Sequence, residues 1–296
     1  MPDKPAAAPP THNPHPRKPA LKLPRGACDA HFHIVGPGSR FPFAAGRKTI
    51  PADAPKEALF ALHDLLGIER GVIVHTAMHG TDQSVTLDAL AARPGRYRAE
   101  ALVPLDVSDA ELKRLGIAGF CGARFHFMKH LDRAAPIDDV ITFGKRLADI
   151  GWHLQIHMEP ELIGDYAAAI RRSPARVIID HMGRIDAALG LTQPAFQNLL
   201  RLLDDRNIWV KVSGCDRASR TGPPYADAVP FARKLVAEFG ERAVWGTDWP
   251  HPNHQPPIPD DGDLVDLLAG IAPAPQVLQA LMVDNPQRFY QFAPLD

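Results

Sequence analysis

Cysteine is scarce: Cys28, Cys121 and Cys215 are the only three in 296 residues. Odd in number and far apart, they build neither a disulfide framework nor a CxxC zinc site, and a reducing cytoplasm suits them best. Net charge is nearly absent, because 33 basic residues meet 34 acidic ones and leave -1. A chain without a basic field does not hold a phosphate backbone, so nucleic acid is not expected as a partner. Long apolar runs are missing as well. Nothing approaches the ~20 residues that cross a bilayer, and no membrane association is expected. No GxGxxG turn follows a strand-like run, which counts against a doubly wound dinucleotide-binding sheet and an organic cofactor.

What is abundant is proline, with 30 residues. Eight of them (Pro2, Pro5, Pro9, Pro10, Pro14, Pro16, Pro19 and Pro24) fall in the first 26 residues. That density prevents helix and starves a sheet of donors, and the segment lacks the apolar stretch of a signal peptide. Residues 1–26 are therefore read as an extended or disordered proline-rich arm, able to lie along the body but not to enter its core. Its histidines, His12 and His15, are candidates only for adventitious metal binding.

Residues 27–296 alternate short, β-branched apolar runs with stretches of helical period. Eight strands are expected, at 28–35, 72–77, 100–105, 121–127, 152–157, 176–182, 208–214 and 243–248. Unbroken apolar runs such as RVIID suit parallel strands buried on both faces. Between them lie helices with legible ends. Asp53 is placed to cap a helix that starts at Pro55, carries Leu59, Leu62 and Leu66, and closes at Gly67. Ser108 and Glu111 have capping-box spacing. Further helices are expected from 138 to 150, 160 to 170, 194 to 203 and 227 to 239. Eight strand–helix units over about 260 residues match an α/β fold of the (β/α)8 TIM-barrel type.

In such a barrel the chemistry sits where the strands end. His31 and His33 form an HxH on the first strand, so both side chains share one face. His157 ends the fifth strand, His181 the sixth and Asp248 the eighth. Arg124 lies near the end of the fourth, and Arg184 and Arg217 follow the sixth and seventh. Each has an ordinary alternative: a satisfied core imidazole, a helix-capping aspartate, an arginine in an ion pair. Five such groups at the ends of strands one, one, five, six and eight are hard to place by chance. Imidazoles with a carboxylate suit Zn²⁺ with a position left for water, and such a metal acidifies the water and polarises a carbonyl. The four tryptophans read as packing, His63 as a solvated helix residue, and Cys215 as a thiol without activation.

The segments DAHFHIVGP (29–37), FPF (41–43), HGTD (79–82), IDHMGR (179–184), GPP (222–224) and WGTDWPHPN (245–253) together resemble the amidohydrolase superfamily. Within it they are most similar to the 2-pyrone-4,6-dicarboxylate hydrolases and their 4-sulfomuconolactone-hydrolysing relatives. The resemblance runs through nearly the whole chain after the arm. It implies an amidohydrolase-type barrel that hydrolyses a small anionic lactone from aromatic-compound breakdown. Asp248 would activate water, and His31, His33 and His181 would polarise the lactone carbonyl or hold a metal. Arg124 and Arg217 would hold the acid groups, supported by Arg184 and His79. Guanidinium suits that task because it binds planar carboxylates in bidentate fashion.

The sequence also departs from the pyrone-hydrolase pattern. His157 and Thr49 stand where tyrosines are expected, Ala77 where a serine is, and His130 where an arginine is. A site built to hydrogen-bond one acid loses affinity when those donors vanish. His130, His157 and Thr49 are thus assigned to substrate binding, and a muconolactone carrying a sulfonate or carboxylate, in its sharpest form 4-sulfomuconolactone, is preferred over the pyrone dicarboxylate. The pyrone hydrolases are thought to work without a metal. His157, however, supplies the fifth-strand imidazole of metal-bearing relatives, so one Zn²⁺ on His31, His33, His157 and Asp248 is expected, with His181 close by. A metal-dependent decarboxylase on the same barrel and a non-enzymatic binding barrel are the other readings. The intact HxH/His/Asp set argues against the last.

Overall fold

The computed structural model describes residues 6–45, 49–131 and 135–294. Eight parallel strands follow one another in chain order around one sheet. They are β1 (Cys28–Phe32), β2 (Arg70–Val74), β3 (Tyr97–Ala101), β4 (Phe120–Phe127), β5 (His153–Met158), β6 (Val177–Ile179), β7 (Ile208–Lys211) and β8 (Ala243–Val244). The sheet closes on itself beyond β8, where Ala30 N–H donates to Trp245 O at 2.8 Å and Asp248 N–H to His31 O at 2.8 Å. Gly246 makes that closure possible, since a Cβ there would lie 2.5 Å from His31 N. The expected strands are all present, though the third lies at 97–101 rather than 100–105. Arg98 and Glu100, two apart in this strand, share one face, where Arg98 Nη2 donates to Gln291 O at 2.6 Å and Glu100 Oε2 meets the Lys211 ammonium at 3.1 Å.

The outer layer is formed by α1 (Lys56–Leu66), α2 (Ser84–Ala92), α3 (Asp109–Ala118), α4 (Ile137–Asp149), α5 (Leu162–Ile170), α6 (Pro194–Leu203), the short α7 (Cys215–Ala218) and α8 (Val229–Phe239). After β8 come α9 (Asp261–Asp266) and several short turns of helix. Ser108 caps α3 as expected, accepting from Glu111 N–H at 3.1 Å, and Gly67 ends α1 in the left-handed region at φ 80. Asp53 is not the cap of α1: its carboxylate accepts from Gly38 N–H at 3.0 Å, and Pro55 holds the cap position. His63 is not solvated either. It is fully buried, with Nδ1 2.9 Å from Tyr97 Oη and Nε2 3.4 Å from Asp29 Oδ2.

Apolar side chains fill the space between wall and helices, and a second cluster plugs the bottom of the barrel. Cys28, Ala30, Val72, Cys121, Ile178 and Val244 meet Trp209, Phe289, Tyr290 and Phe292 there. All four tryptophans are buried. Burial pushes the Cys215 thiol up to about 12, so it is inert at neutral pH.

The arm is extended through residues 6–26 and docks on the barrel. Arg17 pairs with Asp263 and Asp266, and Leu21 N–H donates to Asp266 at 2.8 Å. It also reaches the core, because Leu23 is buried among core residues. The expectation that the arm contributes nothing to the interior fails at that residue, whose apolar side chain turns inward while its neighbour Lys22 stays exposed. Among the described residues no helix is long and apolar enough to cross a membrane.

Candidate active site

Single polar residues inside apolar strands build the floor of the upper barrel. Glu100 on β3, Gln155 on β5 and Lys211 on β7 are fully buried. The Lys211 ammonium lies 3.1 Å from Glu100 Oε2, 2.6 Å from Gln155 Oε1 and 3.4 Å from His31 Nδ1. Beside it, Asp180 accepts from Arg124 Nε at 2.9 Å and from Gln155 Nε2 at 3.0 Å. Burial alone would raise the Asp180 carboxyl. Arg124, His31 and Lys211 outweigh it and hold the group well below the usual carboxylate range.

Above this floor the HxH side chains and Asp248 converge. Asp248 Oδ1 is 3.3 Å from His33 Nε2, 3.6 Å from His31 Nε2 and 3.8 Å from His181 Nε2. Its other oxygen accepts a hydrogen bond from Arg217 Nε. Burial pushes this carboxyl up, but Arg217, then His181, outweigh it and keep it ionised well below its ordinary value. His181 hangs from a left-handed turn in which His181, Met182 and Arg184 have φ of 47, 53 and 59. Its Nδ1 is fixed 2.9 Å from Ser213 Oγ. Burial lowers His181 to about 4 and places His31 well below its usual value, so both imidazoles are neutral near pH 7.

These groups open into a cavity of about 810 Å³. His33, Arg124, His126, His130, His157, His181, Arg184, Arg217 and Asp248 all face it, with Ala77 and Asn253. Arg184 is largely buried, and burial followed by Arg217 lowers it to about 10, which leaves it charged. His130 is lowered by burial and by Arg184, which makes it a neutral contact where an arginine would have been a cation.

One expected position falls elsewhere. His79 is absent from the cavity wall. Its Nδ1 lies 2.9 Å from Pro42 O and its Nε2 accepts from Gly36 N–H at 3.0 Å, so it braces the 36–42 loop. The backbone of Thr49 pairs with Ala6 in a two-residue ribbon, but its side chain lies outside the described residues. His157 lines the cavity without joining the HxH pair. The parallel register sets it beside His126, and their Nδ1 atoms are 3.3 Å apart. The compact donor groups among the described residues are His31–His33–Asp248 and His31–Asp180–His181, each with ligand atoms within 4.8 Å of one another.

Sequence reasoning missed Glu100, Gln155, Lys211, Asp180 and His126. Their shared signal is a polar residue interrupting a buried apolar strand or, for Asp180, standing just after one. A model of the family described as Amidohydrolase matches residues 28–292. The chain belongs to the amidohydrolase family. It is a hydrolase of that family. It is 45% identical over 289 residues to a 2-pyrone-4,6-dicarboxylate hydrolase of Comamonas testosteroni, covering 93% of each chain. Identity to a 4-sulfomuconolactone hydrolase of Hydrogenophaga intermedia is 38% over 275 residues, covering 90% of this amidohydrolase and 89% of that protein. The crystal structure of a 2-pyrone-4,6-dicarboxylic acid hydrolase, so assigned, from Pseudomonas putida superimposes with a TM-score of 0.81 at 30% identity, covering 92% of this chain and 100% of that one.

Proposed function

We propose that this amidohydrolase opens a small lactone carrying acid substituents, in the breakdown of aromatic compounds. The observation that carries this reading is Asp248, an ionised carboxylate ringed by three imidazoles at the floor of a cavity walled with guanidinium groups. Water beside Asp248 Oδ1 loses a proton to the carboxylate and attacks the lactone carbonyl. His31, His33 and His181 surround the place where negative charge develops. Asp248 then passes the proton to the ring oxygen that leaves. Arg184 binds an acid substituent, and the outward edges of Arg124 and Arg217 orient the ring.

The donor chemistry also fits one zinc ion. His33 Nδ1 lies 2.7 Å from Val74 O, which commits its proton to that carbonyl and leaves a lone pair on Nε2 facing Asp248. His31 Nε2 is buried with no hydrogen-bond partner among the described residues. The His31 and His33 imidazoles and the Asp248 carboxylate would hold the ion, with His181 adjacent and His157 outside the set. When bound, the metal would acidify water and polarise the carbonyl.

We place 2-pyrone-4,6-dicarboxylate first among substrates. The 45% identity supports it, and the pairing of His157 with His126 removes the zinc-based reason for preferring the sulfonated lactone. The second reading, 4-sulfomuconolactone, is favoured by neutral His130 and His157 on the wall. The test is turnover of both lactones, followed by loss of ring absorbance, with metal content measured on the same sample. Opening of either lactone, and a loss of about 10²–10⁴-fold in Asp248→Asn, are expected. Release of carbon dioxide, or no turnover of either ring, rejects the proposal.

A further inference from the structure

Asp248, His251 and Asn253 have φ of 65, 56 and 63, three left-handed residues without glycine in one short turn. Such conformations are strained for residues other than glycine and persist only where the surroundings over-determine them. From inside the barrel the turn is held by His31 and His33, the latter donating its N–H to Trp249 O at 2.7 Å. From outside it is held by the arm. The His12 ring lies 5.0 Å from the Trp249 ring, and Thr11 Oγ1 donates to Pro250 O.

A second line of contact reaches the same turn through α9. Asp260, which caps α9, accepts from Asn13 Nδ2 at 2.8 Å and from Arg17 N–H at 3.1 Å. Arg17 also pairs with Asp263 and Asp266. The approach is close: a Cβ on Gly262 would lie 2.2 Å from Arg17 O. The next residue of that turn, Asp261, is fully buried and lies 3.2 Å from His251 Nε2, while Asp216 approaches His251 Nδ1 at 4.0 Å. His251 N–H in turn donates to Asp248 O at 2.7 Å. A proline-rich segment is already extended before it docks, so holding it there costs little further chain entropy.

We infer that Thr11, His12 and Arg17 are positioning residues for Asp248, and that the arm is a working part of the catalytic site. This rests on Asp248 being the proton acceptor in lactone opening. None of the described arm residues lines the cavity. It clamps the Trp249–Pro250 segment directly and the His251 imidazole through α9, and so fixes the carboxylate against the three imidazoles.

The test uses the full chain with Thr11→Val/His12→Ala and, separately, Arg17→Ala and Arg17→Lys. Lactone turnover and amide hydrogen exchange are measured on each. The double variant and Arg17→Ala are expected to lose about ten-fold in kcat, with KM changed less than about two-fold. Exchange at 247–254 should accelerate while β4 and β5 stay protected, and Arg17→Lys should recover part of both losses. Faster exchange with unchanged kcat reduces the arm to a cover and overturns the inference, as does unchanged exchange. If the unmodified protein opens neither lactone, the functional reading falls by itself. The exchange result then decides whether the arm positions the turn.

Discussion

Asp180 gathers more charge than any residue the strand-end pattern singled out. Arg124 and Gln155 donate to one oxygen, while His31 Nδ1 and Lys211 Nζ lie 3.4 and 3.8 Å from the other. Removing its charge leaves the Arg124 guanidinium buried without its carboxylate, while Lys211 keeps Glu100, and breaking a buried pair in this way costs about 3–5 kcal/mol in comparable cases. Asp180→Asn is therefore expected to lower the urea midpoint by that equivalent and to reduce kcat, because Arg124 and His31 lose their anchor. Arg184 is the opposite case, a half-buried guanidinium in the cavity wall that makes no hydrogen bond to an acceptor among the described residues. Arg184→Met should raise KM for the anionic lactone by about ten-fold or more, with a smaller change in kcat. A variant that loses kcat at constant KM would remove Arg184 from substrate binding. His31, His33, His181 and Asp248 were legible in the sequence because each marks the end of a strand. Lys211 and Glu100 were not, since a single polar letter in an apolar run does not say which side of the wall it faces.

Among the elements, those with a local stop or start signal were the ones read correctly. Gly67 ends α1 because its left-handed φ costs glycine nothing, and Ser108 starts α3 because its hydroxyl takes a free amide. Asp53 carries the same kind of side chain and was misread, because its carboxylate is taken by Gly38, fifteen residues earlier. Tertiary contacts of that sort leave no trace in local spacing. The docking of the arm was equally hidden, since it depends on three aspartates some 245 residues away. Gly262→Ala isolates that contact without touching the arm's own sequence. The new methyl would meet Arg17 O at 2.2 Å, so the arm must shift. Faster proteolysis at residues 13–21 is expected, with the barrel itself left resistant.

At the level of the whole molecule, the buried histidines set the response to acid. His75 is lowered to about 3, mainly by burial and then by His79, and His126 and His157 lie well below their usual value, through burial and then Arg124. The unfolded chain takes up protons at these sites from about pH 6.5 downward while the folded one does not, so stability falls as pH falls through that window. Each unit of depression contributes about 1.4 kcal/mol. His251, raised by Asp261 and Asp216 against the lowering effect of burial, works the other way and offsets a part. The depressed carboxyls of Asp180 and Asp248 add stability that is present above the ordinary carboxylate range and lost as pH falls below it. A melting temperature that declines steadily from pH 7 to pH 5, before any carboxylate titrates, is the expected outcome. A flat profile over that range would show that these imidazoles take up protons in the fold as readily as in the unfolded chain.

The charged floor of the barrel has a consequence for how this protein can change. Lys211, Glu100, Asp180 and Arg124 sit in one another's fields, each tolerable only because the others are there. A library that randomises any one of them alone should return mostly casualties, whereas neutralising Lys211 together with Glu100 should be far milder than either change by itself. Such positions move as a block or stay put. New substrates are therefore more readily reached by altering the upper wall at His130, His157 and Arg184 than by touching the layer beneath it.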